Sequence, residues 1–362
     1  METTVLNGSH VQGKGIVVNH TPNDAKPGLR IHFPDMFSSI MAADPVVNVH
    51  YDEVKEESAA AIKELLQVNT VTAEQYAKAD FAFLCAIWVP YADKEALRTL
   101  TDWQYWAFMF DDQFDEGRLK DDPIRAKEEV EENLAMLESD DIVNRDEKPL
   151  LFLFQEIWLA FKKRSSLERQ ERFKEYHRIW FDGLLEQVDS IKQDSWFDID
   201  IEEYMVRRRI TLGGLPSFVM VEYCCDIQLS REHIDHPSIQ ECMRISIDLM
   251  ILSNDILSLP KDLEQGGDIN LIYFLKRQDL SEQAAVDLIG RKIEKCYESW
   301  HLALAKLPPY GEAVDKELLR YIDCCRNMAL GNLHWSFKSE RYFGKKGSEV
   351  REARYFTMPV IA

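Results

Sequence analysis

Glycine is scarce in this chain, at 15 of 362 residues, and neither a Walker-type loop nor a G-x-G-x-x-G turn occurs, so phosphate-cradling nucleotide loops are excluded. Positive charge is also short. Lys and Arg total 43 against 63 Asp and Glu, a net charge of −20, whereas readers of nucleic acid or anionic membranes need a basic face. Long apolar runs are missing too: the most apolar stretch, from Phe81 to Trp88, is far too short to span a bilayer. The seven cysteines (Cys85, Cys224, Cys225, Cys242, Cys296, Cys324 and Cys325) form no C-x-x-C pair, and several fall in apolar stretches. Buried free thiols in a reducing compartment are expected. Nine histidines without H-E-x-x-H spacing leave a zinc hydrolase unsupported. The N-terminal METTVLNGSHVQGKG lacks the apolar core of a secretory signal, so a cytoplasmic protein is expected.

Hydrophobic residues make up 46% of the chain and aromatics 11%, enough for a substantial core. Residues 1–48 hold Pro22, Pro27, Pro34 and Pro45 with little periodicity, and read as a flexible leader followed by a strap onto the body. Helical periodicity then covers 52–67, 73–88, 94–115, 124–138, 149–164, 168–192, 200–226, 238–264, 281–306 and 312–343. Breaks fall at Asn69-Thr70, Pro90, Pro123, Pro149, Asp198, Pro237, Gly266-Gly267 and Pro308-Pro309. No strand pattern of useful length occurs. The expectation is one all-α domain, a helical bundle over 49–345, with a tail at 346–362.

Two stretches carry chemistry. Trp103-Gln104-Tyr105-Trp106-Ala107-Phe108-Met109-Phe110 is nearly all apolar and runs directly into Asp111-Asp112-Gln113-Phe114-Asp115-Glu116. At about 100° per residue, Asp111 and Asp115 lie roughly 40° apart on one helix face, with Asp112 and Glu116 on the next. Like charges this close repel, and acids at a helix C-terminus oppose its dipole. A cation relieves both, and oxygen-only ligands suit Mg²⁺. Alone, the cluster fits a solvated acidic helix end equally well. A calcium loop needs Gly at its sixth position, where Glu116 stands.

The second stretch, Asn254-Asp255-Ile256-Leu257-Ser258-Leu259-Pro260-Lys261-Asp262, places Asn254, Ser258 and Asp262 at i, i+4 and i+8. They drift only about 80° around a helix, giving a stripe of amide, hydroxyl and carboxylate oxygens. From Asn254, Glu264 would be rotated by about 280°, so Asp262 is the expected third member. Pro260 should strain the backbone near Ile256.

In this order, on helices of an all-α chain, the two motifs resemble those of class I terpene synthases, especially fungal and bacterial sesquiterpene cyclases. The likeness covers about Tyr51 to Phe343. Arg207-Arg208-Arg209-Ile210-Thr211-Leu212-Gly213-Gly214 resembles that family's broken helix, with Arg208 at the diphosphate sensor, Thr211 at the linker and Leu212 at the effector. Trp335 with Arg341 and Tyr342 resembles its closing Arg-Tyr pair and upstream aromatic. One departure stands out: Asp262 occupies a position where the family usually has Glu.

The resemblance implies a linear isoprenyl diphosphate substrate, of fifteen carbons rather than ten or twenty, and Mg²⁺, three ions in all. Asp111, Asp115, Asn254, Ser258 and Asp262 would hold metal, and Arg208, Lys261, Arg341 and Tyr342 would hold diphosphate. Arg208, Trp335 and Tyr342 would take part in catalysis, and Phe81, Trp88, Phe108 and Trp335 are candidates for the aromatic cavity wall. On one continuous helix, Tyr342 would stand two turns above Trp335, on the same face. Arg207 and Arg209 read as surface or structural charges. A chain-elongating prenyltransferase would need a second DDxxD, which is absent, and an acidic helical interaction protein would need neither motif. Monomer and homodimer both remain open.

Overall fold

The computed structural model describes residues 28–358 apart from 67–69, 116, 194, 197 and 266–268. The expectations for residues 1–27, for Asn69, for Glu116, for the Gly266-Gly267 break and for residues 359–362 of the tail lie outside the described residues. In chain order the helices are α1 (Tyr51–Leu66), α2 (Thr70–Ala79), α3 (Phe81–Trp88), α4 (Lys94–Asp115), α5 (Pro123–Glu138) and α6 (Pro149–Arg164). Next come α7 (Leu167–Lys192), α8 (Ile201–Thr211), α9 (Gly214–Cys225), α10 (Arg231–Ile234), α11 (Pro237–Leu257) and α12 (Leu259–Gln265). The last are α13 (Leu271–Lys276), α14 (Glu282–Ala305), α15 (Glu312–Lys338), α16 (Glu340–Phe343) and α17 (Gly347–Ala353). Three prolines expected as breaks, Pro123, Pro149 and Pro237, each occupy the first turn of a helix, where a missing N–H goes unneeded. Asp122 and Ser166 cap α5 and α7 by accepting the Arg125 and Arg169 backbone N–H.

The chain is all-α, with one small exception. Residues Arg30–His32 (β1) pair antiparallel with Tyr355–Thr357 (β2), so part of the N-terminal strap is laced to the tail. Phe33 and Phe356 then anchor the pair on the body, Phe33 against Phe337 at 5.9 Å. Three-residue strands are too short to show a period-2 pattern, which is why the sequence did not disclose them.

Four expected helices are interrupted, each for a local reason. The 73–88 segment divides at Asp80, which takes the left-handed conformation (φ 50°) and accepts the Phe83 N–H, while Tyr51 Oη and Lys55 Nζ both donate to its Oδ2 at 2.7 Å. The 200–226 segment divides at Leu212-Gly213, where the broken helix was expected. The 238–264 segment breaks at Ser258, because Pro260 offers no N–H to the Ile256 carbonyl and instead sits in the first turn of α12. The 312–343 segment stops at Lys338, since Ser339 is extended (ψ 155°).

Behind the acidic end of α4 lies the aromatic core. Trp106 stacks on Phe154 at 3.8 Å and 3°, and meets Phe110 and Trp180 at 5.2 and 5.9 Å. Buried among them, the His177 imidazole accepts the Trp103 Nε1–H at 3.1 Å, so its Nδ1–H donates to the Phe173 carbonyl. Burial pushes its pKa down to about 3, and it is a neutral packing element. These rings clamp α4 to α6 and α7, which fixes where its C-terminal carboxylates project.

Candidate active site

One cavity of about 170 Å³ collects the ends of α4, α8, α11, α12, α15 and α16. Asp111, Asp112 and Asp115 reach it from α4, and Asn254, Ser258, Lys261 and Asp262 from α11 and α12. Arg208, Leu212 and Gly213 come from the α8–α9 break, and Trp335, Arg341 and Tyr342 from α15 and α16. Residues as distant in sequence as Asp111 and Tyr342, 231 positions apart, thus meet in one place.

The acidic wall is poorly satisfied. Asp111 Oδ1 is buried without a hydrogen-bond partner. Burial, followed by the Asp115 and Asp112 charges, holds its carboxyl well above the usual carboxylate range, even though Arg208 and Arg341 pull the other way. Asp115 Oδ1 accepts the Gln187 Nε2–H at 2.7 Å, and Asp112 Oδ1 lies 3.8 Å from Arg341. Across the cavity, Ser258 Oγ donates to Asp262 Oδ2 at 2.5 Å, Asn270 Nδ2 donates to the same oxygen at 3.0 Å, and Asn254 Nδ2 donates to Tyr342 Oη at 2.9 Å. Among the described residues no three Asp, Glu, His or Cys side chains form a ready-made metal cluster. The oxygen-bearing side chains are instead spread over two walls. An orphaned carboxylate oxygen facing amide, hydroxyl and carboxylate oxygens fits a hard divalent cation such as Mg²⁺.

Positive charge stands beside this. Arg208, nearly buried, has its guanidinium 3.6 Å from Asp255, and its Nε has no partner. Burial opposes its charge, but Asp255, Tyr204, Asp115 and Asp111 outweigh that and raise its pKa. Burial raises Asp255 to about 6 against the pull of Arg208, and its Oδ2 accepts the Leu271 N–H at 2.8 Å and the Tyr204 hydroxyl at 3.4 Å. The neighbouring arginines point elsewhere: Arg207 bonds Glu203 and covers Trp196, and Arg209 forks onto Asp248.

The break beside Arg208 is built, not frayed. Gly213 has φ 72°, and a Cβ there would stand 3.2 Å from Trp180. Trp180 Nε1 donates to the Thr211 carbonyl at 3.0 Å, satisfying an acceptor that the break releases, and the Gly213 carbonyl opens the next helix by accepting both the Ser217 N–H at 3.3 Å and the Ser217 hydroxyl at 2.8 Å.

Of the four aromatics expected on the wall, Phe108 and Trp335 line the cavity and two do not. Phe81 lies one layer behind, 4.3 Å from Phe108 and 6.0 Å from Trp335. Trp88 packs between α3 and α15, against the bare face of Gly331, where a Cβ would stand 2.6 Å from its Cδ1. Trp103 and Trp180 take part in the wall in their place. The Trp335–Tyr342 contact exists, at 5.7 Å and 82°, but not through helix periodicity, since Ser339 turns the chain back. Glu264 is exposed and Asp262 lines the cavity. Sequence reasoning missed Asp255, although it sits next to Asn254, and Gln187, which carries no motif at all.

The comparisons with known proteins fit this geometry. The sequence model of the family described as "Terpene synthase family 2, C-terminal metal binding" matches residues 102–299, which include both oxygen-rich stretches. The chain belongs to the terpene synthase family. The (+)-eremophilene synthase of Gibberella fujikuroi is 41% identical over 326 residues, spanning 90% of this chain and 91% of that protein. The cycloaraneosene synthase of Sordaria araneosa is 40% identical over 337 residues, 91% of each. Among solved structures, a-eudesmol synthase superposes with a TM-score of 0.72 at 23% identity, covering 82% of this chain and 97% of that one. At that identity the likeness shows the fold alone. This terpene synthase is thus a class I enzyme of terpene cyclisation acting on a prenyl diphosphate. Among the described residues no helix is long and apolar enough to cross a membrane.

Proposed function

We propose that this terpene synthase ionises farnesyl diphosphate in a Mg²⁺-dependent step and cyclises the cation to a sesquiterpene, releasing diphosphate. The observation that carries the reading is the single cavity in which the α4 acids face Asn254, Ser258 and Asp262, with Arg208, Lys261 and Arg341 beside them and aromatic rings lining it. Asp111 and Asp115 would hold metal on one wall, and Asn254, Ser258 and Asp262 on the other, for three ions in all. When bound, Mg²⁺ supplies Lewis-acid stabilisation of the charge that develops on the departing diphosphate. Arg208, Lys261, Arg341 and Tyr342 bind diphosphate oxygens, and they counter the repulsion an acid-lined site exerts on a trianion. Asp255 holds the Arg208 guanidinium toward the cavity. Phe108, Trp335, Trp103 and Trp180 exclude water from the allylic cation, and a ring face contributes roughly 0.5–2 kcal/mol toward a cation beside it.

The fifteen-carbon length rests on the resemblance to sesquiterpene cyclases. Elongation of prenyl chains is disfavoured because the second oxygen set is amide, hydroxyl and carboxylate instead of another DDxxD. All seven cysteines are free thiols, which supports a cytoplasmic location. The test is incubation with C10, C15 and C20 diphosphates and Mg²⁺, followed by analysis of volatiles and of released pyrophosphate. Cyclic C15 products are expected. Cyclic products from the C20 diphosphate alone would move the assignment to a diterpene cyclase, and longer prenyl diphosphates would move it to a prenyltransferase.

A further inference from the structure

A second cavity, of about 440 Å³, lies at the far end of α9, between α15 and residues 90–93. Cys225 and Cys324 both line it, together with Arg320 and Asn327. Their sulfurs are 3.5 Å apart, with the Cys324 S–H directed at Cys225 Sγ. Cys225 is the last residue of α9 and is partly exposed, whereas the other six cysteines are buried. Of the three cysteines that line the cavity, Cys224, Cys225 and Cys324, it is thus the most exposed to a small solute, and its sulfur lies against one from another helix.

We propose that Cys225 and Cys324 form a peroxide-reactive dithiol site, with Cys225 as the attacking sulfur and Cys324 as the resolving one. The electrostatics agree with that division of labour. The hydrogen bond from Cys324 outweighs burial at Cys225 and, with the Arg320 charge, lowers its pKa below the usual thiol range. The other six thiols are all raised: Cys324 by its bond to Cys225 and then by burial, and Cys85, Cys224, Cys242, Cys296 and Cys325 chiefly by burial.

The chemistry balances. The Cys225 thiolate attacks one peroxide oxygen, the O–O bond breaks, and the departing hydroxide takes up a proton to leave a sulfenic acid and one water. The Cys324 sulfur then attacks the sulfenic sulfur, forming S–S and breaking S–O, and the second water departs with the Cys324 proton. The two thiols lose two electrons and two protons, and hydrogen peroxide is reduced to two waters. Closing from 3.5 Å to a bond of about 2.05 Å needs a movement of about 1.5 Å. The bond would tie α9 to α15, about 18 Å along α9 from Gly213. The site is therefore separate from the active cavity and does not depend on the proposed reaction there.

The test treats the folded, reduced protein with stoichiometric hydrogen peroxide, alkylates the remaining thiols, and maps tryptic peptides without reduction. The expected result is the loss of two of seven alkylatable thiols and a link between peptides 210–231 and 321–326 within one chain. Each peptide carries two adjacent cysteines, so variants assign the pair. The link should vanish in Cys225→Ser and Cys324→Ser and persist in Cys224→Ser and Cys325→Ser. Seven intact thiols, an uncrosslinked Cys225 sulfinic acid, a link between chains, or a link surviving Cys225→Ser would each overturn the proposal. Where a serine variant fails to fold, fragmentation of the linked peptides from the unmodified sequence assigns the pair, since Cys224 and Cys325 should carry the alkyl label and an unlabelled Cys224 or Cys325 would overturn the proposal.

Discussion

Replacing Asp255 by alanine should cost more stability than replacing the arginine it faces. Asp255 is 1% exposed and Arg208 9%, with the charges 3.6 Å apart. In Asp255→Ala the guanidinium loses its buried carboxylate, and the Leu271 N–H and Tyr204 hydroxyl lose their acceptor. Breaking a buried pair from one side costs about 3–5 kcal/mol. With an unfolding entropy of about 2.1 cal/mol/K per residue over 362 residues, that lowers the melting temperature by about 4–7 °C. In Arg208→Ala the Asp255 Oδ2 keeps both donors and the carboxyl, already raised to about 6, takes up a proton more readily, so the expected loss is smaller, about 1–3 kcal/mol, the cost of a buried polar group left without its partner. The double variant should lose less than the sum, with a coupling of about 1–3 kcal/mol. Thermal and urea unfolding of the four proteins measures all of this. Turnover should follow the opposite order, abolished in Arg208→Ala, whose charge is proposed to bind the leaving group, and partly kept in Asp255→Asn. Equal losses for the two alanine variants, or strictly additive ones, would refute the pairing.

Three further outcomes follow from the same geometry. Asp111→Asn should cut turnover by about 100-fold or more, the scale of losing one transition-state donor, while Asp112→Asn, whose carboxylate faces Arg341, should be milder in steady-state assays. Trp335→Phe should release pyrophosphate at close to the parent rate but shift the product profile, and Trp88→Phe should change only stability, as gas chromatography and calorimetry would show. His177 has a folded pKa of about 3 against 6.5 unperturbed, so below 6.5 the unfolded chain takes up the proton first. Stability present above pH 6.5 is then lost as pH falls toward 3, by up to about 1.4 kcal/mol per pH unit, and His177→Asn should flatten that slope.

Much of the bundle was legible because burial repeats with the helix period. The 94–115 and 149–164 segments end where the sequence placed them, since a proline or a run of acids marks the boundary. The interruption at Asp80 was not legible, because its left-handed backbone depends on Tyr51 and Lys55 from another helix. The turn at Ser339 is likewise tertiary, and Tyr342 meets Trp335 across that turn instead of along one continuous helix face. The oxygen-bearing candidates Asp111, Asp115, Asn254, Ser258 and Asp262 were legible from their helical spacing, whereas Arg208, Lys261, Arg341 and Tyr342 were legible only through the resemblance; one cavity gathers them all. Gln187, which steadies Asp115 from 72 residues away, has no such signature.

The acidic and basic groups of one cavity are proposed to hold metal and diphosphate jointly. Thermal unfolding with Mg²⁺ alone, pyrophosphate alone, and both together tests it most directly. Both together should raise the melting temperature well beyond the sum of the separate shifts, because each ligand cancels the charge that repels the other, and Asp111→Asn should lose that excess. Equal stabilisation by pyrophosphate with or without Mg²⁺, or no stabilisation by the pair, would contradict it.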